Sequence, residues 1–236
     1  MVAFNVIKKD QEYWLADQIK MSQSKEEYWA ELKNILADWE SNQVNYLSLL
    51  MDAEYEEQLL NEGFHKVSSV VEYTRTLEEH FILDSSIFVQ SLSDSLMRDE
   101  EFAKLYDACR SGSANKNNLF SIDQIMDAFL NELGSNWRNH CHIFYKAKEP
   151  LGISIPHIED GTTEEGRLFY FGVTPEHRGK GLGKVLHLYS LELLKNMHAT
   201  YYVGSTDENN EYMIRIFKAN GCLLRDKKGI YRIDNR

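Results

Sequence analysis

"VTPEHRGKGLGKVLHLYSLELLKN", residues 173–196, sets Gly179, Gly181 and Gly183 and the basic residues Arg178, Lys180 and Lys184 between a strand-like run and a run with helical spacing. A strand, a glycine loop and a helix N-terminus together present backbone N–H groups with no side chains in the way, and the helix dipole favours negative charge there. With Arg178 and Lys180 adding cationic side chains, the favoured guest is a phosphate or pyrophosphate. Two familiar phosphate loops fit poorly. A Walker loop needs GxxxxGK followed by Ser or Thr, whereas here Gly183 and Lys184 are followed by Val185. A dinucleotide fingerprint needs GxGxxG opening a βαβ unit, whereas GKGLG follows a run of closely spaced strands.

Those strands are HCHIFYKA (140–147), LGISIPHI (151–158) and RLFYFGV (167–173), close enough in sequence to read as an antiparallel meander. Before them, Ser121 and Gln124 make a capping box, and Ile122, Ile125, Met126, Phe129, Leu130 and Leu133 form an apolar stripe ending at Gly134, which predicts a helix. After the loop, a helix from about Lys184 to Met197 would bury Val185, Leu186, Tyr189, Leu193 and Met197. ATYYVGS (199–205) reads as a strand, DENNEYMIRIFKANG (207–221) as a helix closed by Gly221, and CLLRDKKGIYRI (222–233) as a hairpin.

The first half has a different grammar. All three prolines lie in the second half, and the first 110 residues contain one glycine, Gly63. Residues 10–40 place Trp14, Leu15 and Ile19, then Tyr28, Trp29, Leu32, Ile35, Leu36 and Trp39 at spacings of three and four, which predicts amphipathic helices. A helix over 52–62 ends at Gly63, FHKVSSVVEYTR (64–75) follows as a strand or hairpin, and a helix over 92–110 precedes a polar loop, SGSANKNN (111–118).

The 236-residue length allows one large domain or two small ones, and 43% hydrophobic with 27% charged residues is ordinary for a soluble globular protein. No apolar run has the length of a membrane helix and the amino terminus has no signal-like core, so a cytoplasmic protein is expected. Cys109, Cys141 and Cys222 form no CxxC and read as reduced thiols, with no disulfide frame and no metal site. The net charge of −11 sits in residues 1–120, which carry 11 basic against 22 acidic residues, while residues 121–236 carry 15 against 15. That field disfavours nucleic acid and anionic membrane as partners and suits an amine substrate, or else serves solubility.

"FGVTPEHRGKGLGKVL" resembles the fourth strand and (Gln/Arg)xxGx(Gly/Ala) loop of the GNAT N-acetyltransferases, with Arg178, Gly181 and Gly183 at the motif positions. "NNEYMIRIFKANGC" resembles that family's NxxAxxLYxxxGF segment, with Asn210, Met213, Ile216, Phe217, Gly221 and Cys222 in register, so the resemblance runs from about Ser121 to Arg236. It implies an α/β fold of the α+β type, with a mixed, mostly antiparallel sheet flanked by helices and splayed between the family's fourth and fifth strands. It also implies acetyl-CoA as cosubstrate. The backbone of Phe171 and Val173 would pair with pantetheine, and Arg178, Gly179, Lys180, Gly181, Leu182, Gly183 and Lys184 would hold the pyrophosphate. Asn210 and Phe217 would meet the cofactor arm.

The implied chemistry is direct attack of a primary amine of a small molecule or peptide on the thioester, with a base and an acid assisting. Phe217 stands where the family often has an acidic tyrosine, so Tyr212 or Tyr170, or water, would substitute; Glu164, Glu165, Tyr170 and His157 are candidates for the base. The catalytic set is thus Glu165, Tyr170 and Tyr212. A non-catalytic acetyl-CoA-binding or scaffolding protein is the alternative, and an ATP or NAD module a third reading. A shift of 158 residues superposes Asn61–Phe64 on Ala219–Cys222 and Tyr73 on Tyr231, which makes residues 1–80 a partial, degenerate unit of the same kind beside an acetyltransferase domain over 81–236. Pairing of exposed strands would make a homodimer.

Overall fold

A computed structural model describes residues 3–9, 12–19, 24–112, 121–159 and 161–235. The chain is α+β and divides into two compact units, residues 1–71 with 226–236, and residues 72–225. Strands β4 (His65–Thr76) and β10 (Leu223–Asp234) contribute to both.

The first unit holds β1 (Phe4–Lys9), β2 (Tyr13–Gln18), α1 (Lys25–Ser41), β3 (Tyr46–Asp52) and α2 (Glu56–Asn61), with strand order β1-β2-β3-β10-β4. The helix predicted from residue 10 is corrected here: Tyr13–Gln18 is a strand, and the helix starts only at Lys25. Trp14, Ala16 and Gln18 are buried and their neighbours less so, a period of two. A short apolar run fits either period, and pairing with β1 on one side and β3 on the other decides it. Helix α1 begins at a capping box of Ser24 and Glu27 and buries Tyr28, Leu32 and Trp39 against β1 and β3 residues such as Phe4 and Leu47.

The second unit holds β5 (Phe88–Ser91), α3 (Asp99–Arg110), α4 (Ile122–Leu133), α5 (Trp137–His140), β6 (His142–Lys146), β7 (Glu149–Ile158), β8 (Glu165–Val173), α6 (Leu182–Asn196), β9 (Tyr201–Asp207) and α7 (Glu211–Ala219), ordered β4-β9-β8-β7-β6-β5. The predicted meander is β6-β7-β8, antiparallel throughout, and the capping box of Ser121 and Gln124 opens α4. The helix expected over 92–110 begins only at Asp99, because residues 88–91 pair with β6 as β5 and the Leu92 and Ser93 N–H groups that follow donate to Cys141 O and Arg138 O. Residues 113–118 of the polar loop lie outside the described residues. The β6–β7 turn places Ala147 and Lys148 at φ of 49° and 71°, the left-handed pair a tight hairpin requires. Apolar side chains pack on both faces of this sheet: Phe102, Phe129 and Trp137 from α3, α4 and α5 against Ile153 and Ile155, and Leu186 and Tyr189 of α6 against Leu151 and Val173.

Residues 64–75, expected as a strand or hairpin, form the single strand β4, whereas the hairpin predicted over 222–233 is corrected to a single strand, β10, also of 12 residues and related to β4 by the same shift of 158. In β10, a Cβ at Gly229 would meet the Tyr231 ring at 2.5 Å, so this glycine makes room for a side chain and turns nothing. The likeness is closest just before these strands. Glu62 N–H donates to Gln58 and Leu59, Gly63 to Leu60 and Phe64 to Leu59; Asn220, Gly221 and Cys222 donate to Ile216 and Phe217, Lys218, and Phe217. Gly63 and Gly221 both turn the chain with positive φ, 93° and 70°. The repeat therefore runs β2-α1-β3-α2-β4 in the first unit and β8-α6-β9-α7-β10 in the order of the second copy.

Candidate active site

Strand β8 ends at Val173, and a single 3-10 turn over Pro175–His177 leads to the glycine loop and α6. Gly179 and Gly181 take φ of 73° and 77°, and Gly181 is the N-cap of α6, which has no side-chain cap. No carbonyl within α6 can accept the N–H groups of its first turn, and among the described residues none of the amides from Gly179 to Lys184 donates to another backbone carbonyl. Gly183 serves close packing: a Cβ there would stand 2.7 Å from Ile216 Cδ1, so α6 and α7 approach at this point because the side chain is absent. Lys180 and Lys184 are exposed.

Arg178 is engaged otherwise than its place in the motif suggests. Its Nε donates to Val173 O at 3.0 Å, and its two terminal nitrogens donate to Ser111 O at 2.7 Å and Cys109 O at 2.8 Å. The guanidinium ties the loop to the last carbonyls of α3, where a cation is favoured by the helix dipole. Thr174, buried one residue after β8, donates to Leu151 O and lies 2.8 Å from His177 Nδ1, which steadies the near side of the loop.

Beside the loop the sheet opens. Strands β8 and β9 run parallel but pair only at Glu165 with Tyr201 and Gly166 with Tyr202. Beyond that foot, the β9-facing edge of β8 carries no ladder among the described residues. The corresponding strands of the first unit, β2 and β3, are zipped over five pairs from Tyr13 with Tyr46 to Asp17 with Leu50, and the stretch between β2 and α1, IKMSQS, has no glycine. Only the second copy therefore combines a glycine loop with an open strand edge. A bulge in β8 shifts its register, so Ile155 faces Tyr170 while Pro156 faces Leu168. The extra residue, Phe169, turns to the same face as Tyr170, and their rings pack 5.5 Å from Phe129 and 4.4 Å from Tyr106.

The bulge settles where several expected residues point. Tyr170 is buried toward α3, its ring lying over Gly172 beside Cys109, and burial pushes its phenol up. Burial also pushes the Cys109 thiol up to about 12. Phe171 and Val173 turn to the α6 side, Phe171 edge-on to His187 at 5.5 Å. Glu165, 6% exposed, stands at the foot of the opening; Arg167 donates to its Oε1 at 2.6–2.7 Å and the Tyr201 hydroxyl to its Oε2 at 3.0 Å. Arg167 also reaches Glu159 and Glu72 at 3.2 and 3.4 Å. His157 lies 3.5 Å from Glu159, and its pKa is lowered, mainly by burial. Tyr212 is 79% exposed on α7. Among the described residues no hydrogen bond, ion pair or ring contact joins Glu165, Tyr170 and Tyr212. Asn210 caps α7, accepting from Met213 N–H and donating to Thr206 Oγ1.

Phe217 is 1% exposed, stacked on Tyr73 at 5.1 Å and edge-on to His187 at 5.6 Å. Around it lies a polar group that the sequence reading did not single out. His187, fully buried on α6, has Nδ1 at 3.0 Å from Asn220 Nδ2 and Nε2 at 3.3 Å from the Tyr202 hydroxyl, and burial takes its pKa down to about 3. A histidine on the apolar side of α6, one residue from Leu186, was the available signal.

The sequence model of the acetyltransferase (GNAT) family matches residues 100–222. Among solved structures, the chain is similar to a GCN5-related N-acetyltransferase from Sphaerobacter thermophilus, with a TM-score of 0.70, 10% identity, and coverage of 98% of this chain and 76% of that one. A tandem GNAT protein from the clavulanic acid biosynthesis pathway gives 0.63 at 14% identity over 98% and 78%, and a GCN5-related N-acetyltransferase from Kribbella flavida gives 0.62 at 13% over 98% and 88%. At such identities the likeness is one of fold. No curated protein matches the chain. The family model, by contrast, spans more than half the sequence and takes in the loop, the opened strands and α7, so the chain belongs to the GNAT acetyltransferase family.

Proposed function

We propose that this protein transfers an acetyl group from acetyl-CoA to a primary amine of a small molecule or peptide, and that the second unit carries the reaction. The observation that supports this most is the opening of β8 from β9 after Gly166, directly beside a loop whose amides donate to no backbone carbonyl among the described residues. An extended arm bearing amides fits an unpaired strand edge, with the backbone of Phe171 and Val173 as its partners, and a pyrophosphate fits the amides of residues 179–184. Val173 O is already taken by Arg178. Bound there, the coenzyme supplies an activated acetyl thioester; the chain supplies position, and a bound amine and thioester react as if intramolecular.

Glu165 lies at the foot of the opening with Arg167, Glu72 and Glu159, and this carboxylate-rich cluster favours a cationic acceptor. Isothermal titration with acetyl-CoA tests the reading at its root, and thiol release across a panel of amines tests transfer. A wild-type protein that binds no acetyl-CoA would remove it. Phe217, which has no proton to give, is the observation behind the second reading, a protein that binds acetyl-CoA and transfers nothing. Binding without thiol release from any amine would favour that one. Among the described residues no helix is long and apolar enough to cross a membrane, and we propose the cytoplasm as the compartment on composition.

A further inference from the structure

We propose that the Tyr202 hydroxyl donates the hydrogen bond that steadies the thiolate departing from acetyl-CoA, the task for which Phe217 lacks a proton; this rests on the acetyl-CoA reading above. Tyr202 is the last β9 residue paired with β8, and its side chain runs from there over Gly204, into the part where the strands have separated. Gly204 is what lets it lie there, since a Cβ at that position would overlap the Tyr202 hydroxyl and stand 2.9 Å from Phe217 Cε1. The hydroxyl is thus delivered beside the edge of the ring that carries none.

The hydrogen-bond chain behind it fixes the Tyr202 oxygen as an acceptor from His187. Asn220 Nδ2 donates to Lys184 O at 2.9 Å, and a carbonyl can only accept, so the nitrogen of the amide is the atom there. The second hydrogen of the same nitrogen goes to His187 Nδ1 at 3.0 Å. His187 is neutral at ordinary pH, so its one proton sits on Nε2 and is donated to the Tyr202 oxygen at 3.3 Å. Tyr202 therefore accepts from His187, and among the described residues nothing accepts its own hydrogen. A 1% exposed phenol with an unspent donor is costly unless something arrives to take it. The nearest charged or titratable groups are Arg75 of β4, Arg167 of β8 and Cys222 after α7; Arg75 also donates to Asn220 O, which holds the chain in place.

In the step itself the amine nitrogen bonds to the thioester carbonyl carbon, the carbon–sulfur bond breaks, and its electron pair stays on sulfur. The proton lost by the amine passes to water. Burial keeps the Tyr202 proton on oxygen, and the phenol stabilises the thiolate by hydrogen bonding without being consumed.

Tyr202→Phe keeps the ring and removes the donor. In the wild-type complex with free CoA, ultraviolet thiolate absorbance followed against pH is expected to give a thiol pKa below that of CoA in solution, and the variant should raise it by about one unit. With an acceptor amine, kcat should fall about ten- to a hundredfold, the factor that a hydrogen bond to a charged group is worth, with KM for acetyl-CoA within about twofold. Adding Phe217→Tyr to the variant should restore part of the loss by returning a phenol to the other edge of the same space. A Tyr202→Phe protein that melts like wild type, binds CoA and shows both an unchanged thiol pKa and an unchanged kcat overturns the proposal alone. A wild-type protein that binds no CoA overturns it together with the functional reading.

Discussion

Arg178 offers a clear separation between two roles for a motif residue. Were its guanidinium a ligand for phosphate, removing it would weaken anion binding and leave the empty protein as stable as before. The structure instead commits it to three carbonyl oxygens, those of Val173, Cys109 and Ser111, at 2.7–3.0 Å. Hydrogen bonds from a charged donor contribute about 1.5–3 kcal/mol each, but this group is partly exposed and water replaces some of what is lost, so Arg178→Gln should cost about 2–3 kcal/mol in all. For a unit of this size that is a fall in melting temperature of roughly 4–10 °C, measured by calorimetry without ligand. Acetyl-CoA affinity should fall too, because the amides of residues 179–184 lose the fixed end from which the loop is built. The reasoning fails if the ligand-free variant melts with wild type while its affinity for acetyl-CoA drops, for then the guanidinium acts on the ligand and not on α3.

Other perturbations test other parts of the site. Gly183→Ala places a Cβ 2.7 Å from Ile216 Cδ1 and should cost about 1–3 kcal/mol by overpacking, offset in part by the better helix propensity of alanine. Ile216→Val in the same chain removes that atom and leaves the next at 3.5 Å, so the double variant should recover most of the loss in chemical denaturation. His187 bears on acid stability. An unfolded histidine takes up a proton near pH 6.5, whereas His187 resists until about 3, so across that window the unfolded state binds more protons. Stability should therefore fall as pH drops through it, by up to about 1.4 kcal/mol per pH unit, and His187→Gln should flatten this part of the denaturation profile. Tyr212→Phe should leave kcat within about twofold of wild type, since the side chain is 79% exposed and contacts neither Glu165 nor Tyr170 among the described residues; a tenfold loss in steady-state turnover would return it to the catalytic set.

Much of the fold was legible where local rules act alone. The capping box of Ser121 and Gln124, the glycine that closes α7, and the closely spaced strands before the loop are short-range signals, and the structure follows each of them. The faint repeat was legible in Gly63 and Gly221, because only a residue tolerant of positive φ can make that turn twice. Long-range pairing overrode the reading elsewhere. Trp14, Leu15 and Ile19 satisfy a helical spacing, yet β1 and β3 complete their hydrogen bonds as a strand, and residues 222–233, which read as a hairpin, run straight as β10 because Gly229 makes room for the Tyr231 ring.

By itself, then, the sequence determined where backbone amides stand uncrowded, since glycines at 179, 181 and 183 alternate with side chains at a helix N-terminus, a setting that favours an anion. It also determined that Phe217 has no proton to give. Tertiary structure decided which copy of the repeat opens, with two pairs between β8 and β9 against five between β2 and β3. It turned Arg178 toward α3, left Glu165, Tyr170 and Tyr212 without mutual contact among the described residues, and brought Tyr202, His187 and Asn220 into one hydrogen-bonded chain. The reason is physical: backbone amides and glycine φ are local properties that a few residues carry, whereas the direction of a side chain is set by bulges, helix packing and strand pairs whose partners lie tens of residues away.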